Sequence, residues 1–382
     1  MIDGFDQVSL EMLRRRRSEK WATYPADVLP AFVAEMDFPL AAPIKDALLD
    51  AITLGDTGYA LPNGVAEAFA EFARSWLSWS VEPARVVLVP DVMVGAAEVI
   101  RVVTKPGDGV VIDTPAYPPF WSTIREYGRG FVEVPLQRTA TGWDLDLEAL
   151  ERAFASGARA YLLCNPHNPT GRVFTRAQLQ RIADLANRYE VAVIADEIHG
   201  LLTLPGASHV PFVSLGEVAA RNAVTVISAS KAWNIAGLKC ALVVAGSDEM
   251  RARLAQLPVD LRDRTGHFGV LASIAAFRQG GPWLRALVSH LDRNRHLLSE
   301  LLADRLPGVR YVPPEAGYLA WLDCAELRLG PDPAARFLER GRVALSRGLD
   351  FGQNGAGFVR LNMGTSSQLL AQTVARMADA IT

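Results

Sequence analysis

Short uninterrupted apolar runs alternate along this chain with longer amphipathic stretches. Val86–Val89, Gly109–Asp113, Phe131–Pro135, Ala160–Cys164, Val191–Ala195, Val224–Ile227 and Cys240–Ala245 are each four to six residues long and rich in β-branched or other apolar side chains. Runs of that kind predict strands buried on both faces. Between several of them lie helical patterns, over Val92–Thr104, Pro118–Gly128, Leu147–Ala155, Arg176–Tyr189 and Glu249–Leu257. The alternation predicts an α/β fold, with a mostly parallel central sheet covered by helices on both sides.

The pattern changes after Gly280-Gly281-Pro282. A long helix is expected from Trp283 to about Arg305, followed by shorter elements over Val309–Val312, Gly317–Cys324, Pro333–Arg340, Val343–Ser346 and Gly357–Met363, and a last helix from Ser366. These predict a second, smaller α+β domain. The expected division is an N-terminal segment over 1–42 that packs with the small domain, a large domain over 43–281 and a small domain over 282–382. Prolines and the lack of a sustained period predict that the N-terminal segment crosses the surface without joining a sheet. The run Arg14-Arg15-Arg16-Arg17 has no interleaved aromatic residues and reads as a solvated helix face.

Composition narrows the function classes. Of 382 residues, 50% are hydrophobic and 21% charged, enough for a large core and too apolar for a disordered chain. The 39 basic and 42 acidic side chains leave a net charge of −3, without the basic excess of a nucleic-acid binder. No apolar run is long enough to span a bilayer. The opening residues carry Asp3 and Asp6 and no apolar signal core, so secretion is not expected. Cys164, Cys240 and Cys324 each lie in an apolar run, an odd and scattered set that fits reduced, packed thiols better than a disulfide frame or a zinc site. The expectation is a cytoplasmic protein without metal.

Four segments carry chemistry. Cys164-Asn165-Pro166-His167-Asn168-Pro169-Thr170-Gly171 follows a predicted strand, and two Asn-Pro pairs closed by Thr-Gly are more than a turn requires; an Asn amide there can point into a crevice as a donor. Ala195-Asp196-Glu197-Ile198-His199 ends another strand, at the mouth of a sheet where α/β proteins place ligands. Ser228-Ala229-Ser230-Lys231-Ala232-Trp233-Asn234, followed by Gly237-Leu238-Lys239, sets a lysine among small hydroxyls, the setting of nucleophilic lysines with a lowered pKa. The hydroxyls and Lys239 suit a phosphate. Gly357-Phe358-Val359-Arg360-Leu361-Asn362-Met363-Gly364 buries a guanidinium in a strand, which is costly unless it meets an anion. Taken singly, each has a plainer reading: Asp196 as a helix N-cap, His199 as a satisfied loop histidine, Lys231 as a surface lysine, Arg360 as half of a structural ion pair.

Asn-Pro-x-Asn-Pro-Thr-Gly, Asp-x-x-His, Ser-x-Ser-Lys and Phe-x-Arg-Leu-Asn, in this order, resemble the fold-type I pyridoxal-phosphate enzymes of the aminotransferase class I/II superfamily. Lys20-Trp21, Pro30, Val33-Ala34-Glu35-Met36-Asp37-Phe38, Gly58-Tyr59 and Thr114-Pro115-Ala116-Tyr117-Pro118-Pro119-Phe120 further resemble its MalY/PatB group of cystathionine β-lyases, as do Asp196-Glu197-Ile198-His199 and the stretch through Trp233-Asn234. The resemblance runs from about residue 17 to the C-terminus. It implies that Lys231 holds the cofactor aldehyde and later moves the substrate's Cα proton, that Asp196 pairs with the pyridinium nitrogen, and that Asn168 donates to the ring oxygen. His199 stands where many relatives carry Tyr. Tyr117 is implied over the ring, Arg360 at the substrate carboxylate with Asn168 beside it, and Ser228, Ser230, Lys239 and the amides of Gly95 and Ala96 around the phosphate. Tyr59 is implied to reach a neighbouring subunit's site, which makes the active unit a homodimer. The implied reaction is α,β-elimination from an L-amino acid with sulfur at Cβ, such as cystathionine. The alternative is an aminotransferase, because the same Lys, Asp, Asn and Arg serve both reactions.

Overall fold

In the computed structural model, which describes residues 4–140 and 142–382, the apolar runs form one seven-stranded sheet. Asp3 lies outside the described residues. The strand order is Val86–Val89, Ala241–Ala245, Ala223–Ile227, Ala192–Asp196, Ala160–Cys164, Gly109–Thr114, Gly130–Pro135. Ala241–Ala245 runs antiparallel to both its neighbours, and every other pairing is parallel. Successive residues serve opposite faces, as the pleat demands. Tyr161 and Leu163 enter one apolar cluster, while Ala160 and Leu162 enter the other, beneath the helix Val92–Val103. That is why these strands read as unbroken apolar runs.

The topology places chemistry at one edge. The carboxyl ends of the parallel strands lie together, and the loops leaving them carry Asp91, Tyr117, Asn168, Asp196 and Lys231. Open α/β sheets bind ligands at this edge.

A four-stranded antiparallel sheet follows, in the order Arg310–Tyr311, Leu319–Asp323, Phe358–Asn362, Ser346–Arg347. The 25-residue helix Gly281–Arg305 packs on the terminal helix Ser367–Asp379 beside it. Among the described residues, no helix is long and apolar enough to cross a membrane.

The N-terminal stretch departs from the sequence expectation in two ways. Leu29–Pro30 does join a strand, pairing in parallel with Val343–Ala344. The arginine run is not one solvated face either: its helix ends at Arg14, and Arg16 turns inward to donate to the carbonyls of Met36 and Asp37. Those carbonyls lie in an irregular stretch outside any sheet, where side chains supply most of the donors. Besides shorter ones, three helices of twelve or thirteen residues also went unread in the pattern, Ala42–Leu54, Val65–Trp76 and His267–Gln279. His267–Gln279 buries residues around most of its circumference, so it offers no polar face to set a period.

Candidate active site

A cavity of about 410 Å³ opens at the carboxyl edge of the large sheet. Tyr117, Asn168, Asp196, His199, Ser228, Ser230, Lys231 and Lys239 all line it, so residues spread over more than a hundred positions meet in one place. Tyr59 is not among its lining residues, and 92% of its surface is exposed.

Lys231 sits in the single-turn helix Ala229–Ala232, directly after the strand Ala223–Ile227. Ser228 caps that turn: its Oγ accepts from the Ser230 amide at 3.0 Å and donates to the Cys240 carbonyl at 2.6 Å. The Lys231 Nζ donates to the Ala34 carbonyl at 2.9 Å. Burial, aided by the Arg360 charge, pushes its pKa down to about 8. The amine therefore has a substantial neutral fraction near neutral pH and can act as nucleophile or base.

Asp196 ends its strand fully enclosed, and Oδ1 accepts only the Ile198 amide, at 3.2 Å. Burial pushes its carboxyl up to about 7. It is thus a carboxylate short of a cationic partner. Burial pushes His199 down to about 3, so its imidazole is neutral, and its buried Nδ1 has no hydrogen-bond partner. Burial also raises the Tyr117 hydroxyl, keeping the phenol protonated.

Arg360 comes from the smaller sheet, on the strand Phe358–Asn362. Its Nη1 donates to Asn168 Oδ1 at 3.0 Å, which leaves the Asn168 amide hydrogens for the cavity. Nη2 donates to the Phe32 carbonyl at 3.0 Å and to Ser346 Oγ at 3.1 Å, while Nε has no partner. Its guanidinium lies 4.9 Å from the centre of the Phe351 ring. Among the described residues no carboxylate pairs with it, so the plain ion-pair reading does not hold. Burial pushes its pKa down to about 10, still far above neutrality.

The expectation for Gly95 and Ala96 is overturned. The helix begins three residues earlier, at Val92, so the Gly95 amide is already spent on the Asp91 carbonyl at 2.9 Å. Val92 and Met93, in the first turn, line the cavity instead. Gly95 serves packing: a Cβ there would lie 3.0 Å from Val89 and 3.1 Å from Val243, so the helix can sit this close to the sheet only with glycine at the contact.

Residues 41–377 match the sequence profile of the aminotransferase class I and II family. The chain belongs to this family. Cystathionine beta-lyase PatB of Bacillus subtilis is 34% identical over 93% of each chain, and the cystathionine beta-lyase of Corynebacterium glutamicum is 34% identical over 97% of this chain and 99% of its own. The crystal structure of cystalysin from Treponema denticola, which contains a pyridoxal 5'-phosphate cofactor, superposes with a TM-score of 0.91 at 26% identity, covering 100% of this chain and 98% of its own. The fold and the MalY/PatB grouping expected from the motifs both hold.

In this aminotransferase-family chain an irregular strap, residues 32–37, meets the cavity at Ala34, and every carbonyl along it accepts a side-chain donor. Phe32 O accepts from Arg360 and Ser346, Val33 O from Asn362, Ala34 O from Lys231 and Tyr318, Glu35 O from Lys20 and Asn362, Met36 O from Asn234 and Arg16, and Asp37 O from Arg16. The buried Lys20–Asp37 ion pair, at 2.9 Å, anchors its far end. Asn234, a lysine-loop residue, holds Met36 at both backbone groups, N and O each at 2.8 Å. Apart from Lys231 and Arg360, sequence reading missed these donors as site residues, and it missed Asp91. Pro90-Asp91 between a strand and a helix was the available signal, that of an N-cap.

Proposed function

We propose that this chain is a pyridoxal-phosphate-dependent C–S lyase, acting by α,β-elimination on L-cystathionine or related S-substituted L-cysteines. The observation that carries the reading is one cavity that gathers a lysine of lowered pKa and a buried carboxylate short of a cation, with the guanidinium of Arg360, which has no counterion, bonded to Asn168 on its wall. Relatives named cystathionine beta-lyase, matched over nearly the whole chain, support the reaction type.

The residues fit the cofactor. Asp196, raised to about 7 by burial, is relieved by a protonated ring nitrogen. The free amide of Asn168 and the neutral His199 ring suit the ring oxygen. Ser230, Lys239 and the first-turn amides at Val92 and Met93 suit the phosphate. Tyr117 supplies a face for the ring, a contact worth about 1 kcal/mol beyond area burial.

The bound cofactor supplies an electron sink for the pair left on Cα after deprotonation. Lys231 holds it and then removes the Cα proton, for which an amine titrating near 8 is well matched. Asp196 keeps the sink charged. Arg360 fixes the substrate carboxylate, which sets the Cα–H bond relative to Lys231. The strap covers the site and excludes water. In the balance, Cα loses its proton, the Cβ–S bond breaks with its electron pair going to sulfur, the sulfur is protonated, and water converts the remaining fragment to pyruvate and ammonia.

The same reading takes the active unit to be a homodimer. Tyr59 is exposed, as are Leu49, Ile52, Leu54 and Leu61 close to it in sequence, and exposed apolar residues in one stretch suit a second copy contributing to the site. It also divides the chain at about residues 42 and 281, and the three buried free thiols suit a reducing cytoplasm.

Purified protein loaded with pyridoxal phosphate and given L-cystathionine tests the proposal. Pyruvate and thiol are expected at equal rates, unaffected by 2-oxoglutarate. Glutamate formation that requires 2-oxoglutarate, without thiol release, would make the chain an aminotransferase.

A further inference from the structure

The end of the cavity suited to phosphate already holds an anion. Asp91 caps the twelve-residue helix Val92–Val103, with Oδ1 accepting the Val94 amide at 2.9 Å. Its Oδ2 accepts the Lys239 Nζ at 3.1 Å. Asp91, Lys239, Val92 and Met93 all line the cavity. Capping alone does not call for a charge here, since Ser or Asn caps as well. The carboxylate therefore does two things that a phosphate would do at this place: it sits on the helix N-terminus and it neutralises the lysine.

We propose that Asp91 is a built-in surrogate anion. It keeps the phosphate cradle assembled in the cofactor-free protein and competes with the cofactor's phosphate for Lys239. The inference rests on the pyridoxal-phosphate reading above. A phosphate monoester brings a charge of about −1.5 to −2 at neutral pH, which the carboxylate repels and with which it must share the lysine. Side-chain exposures of 56% for Lys239 and 35% for Asp91 let solvent screen the repulsion, so the effect on affinity is a moderate factor and not an exclusion of the cofactor.

Asp91→Asn keeps a capping acceptor and removes the charge; Asp91→Ser does the same with a smaller cap and serves if the first variant folds poorly. Pyridoxal phosphate is titrated into cofactor-free protein, following its visible absorption, and the thermal midpoint of the cofactor-free protein is measured alongside. The neutral variants are expected to bind pyridoxal phosphate about tenfold tighter, equivalent to about 1.4 kcal/mol. They should melt earlier without cofactor, because Lys239 loses its partner, and the affinity gap should shrink in 1 M salt, where charges are screened beyond about 3 Å. Equal or weaker binding by both neutral variants, with wild type binding normally, overturns the role of Asp91 and leaves the function untouched. Wild type that neither binds pyridoxal phosphate nor is stabilised by it overturns the cofactor reading, and this inference with it.

Discussion

The sheet edge that lines the cavity and the strap that meets it at Ala34 satisfy their polar groups in opposite ways. The sheet wall presents side chains, Asn168, Asp196 and Lys231, each fixed at the end of a fully buried strand. The strap presents main-chain carbonyls and borrows its donors from the other elements around it. Chemistry that must gain or lose protons sits on the wall whose backbone is already satisfied by the sheet. In the proposed reaction the strap of backbone acceptors instead positions and covers. Arg360 touches both, through Asn168 on one side and Phe32 on the other.

Removing the proton-handling group should cost most. Lys231→Ala is expected to keep the fold by circular dichroism, lose the visible absorption of the held cofactor, and lose turnover by at least the roughly 10²–10⁴-fold that a positioned base supplies. Substantial elimination by that variant would move the base elsewhere and undo the division between sheet edge and strap. The next largest effect lies on the strap. Lys20→Met strands the buried Asp37 carboxylate, and losing one partner of such a pair costs about 3–5 kcal/mol, so the thermal midpoint should fall while the cofactor absorption persists in the protein that remains folded. An unchanged midpoint would show that the strap is not anchored there.

Arg360→Ala should act mainly on KM. Each charge-assisted bond is worth about 1.5–3 kcal/mol, so a rise of roughly tenfold or more is expected, with kcat changed less. A variant with the wild-type KM would take Arg360 out of the carboxylate role. The smallest effect concerns pH and the cofactor-free protein. Burial raises Asp196 from 3.8 to about 7, so between those values the folded state holds a proton that the unfolded chain releases, and stability falls as pH rises through the window. His199, lowered from 6.5 to about 3, works the other way: stability is lost as pH falls through that range. Asp196→Asn removes the first contribution only. Without cofactor it should therefore melt a few degrees above wild type at pH 8, with the gap closing near pH 4; a variant that melts below wild type at pH 8 would mean the carboxylate is already compensated.

Legibility followed the same line between side chains and backbone. Strand ends could be read because buried parallel strands are continuous apolar runs, and polar residues immediately after them stand out; Asn168, Asp196, Ser228 and Lys231 were found that way and line one cavity. The phosphate amides were misplaced to Gly95 and Ala96, a turn inside a helix whose predicted start at Val92 was right and which Asp91 caps. Gly95 is small for the sake of Val89, Val226 and Val243. The strap was unreadable for a different reason. It has no period, and its partners, Asn234 and Asn362, lie about two hundred and more than three hundred positions away. Arg16 illustrates the same loss, since nothing in a run of four arginines marks the one that turns inward.

A carbonyl oxygen belongs to every amino acid, so the strap's row of acceptors is carried by a path and not by a spelling. Replacing residues 32–37 one at a time with alanine would leave all their acceptors in place. The strap is exposed to point substitution instead at the donors that hold the path from outside, Arg16, Lys20, Lys231, Asn234, Tyr318, Ser346, Arg360 and Asn362, and at Asp37, whose side chain anchors it.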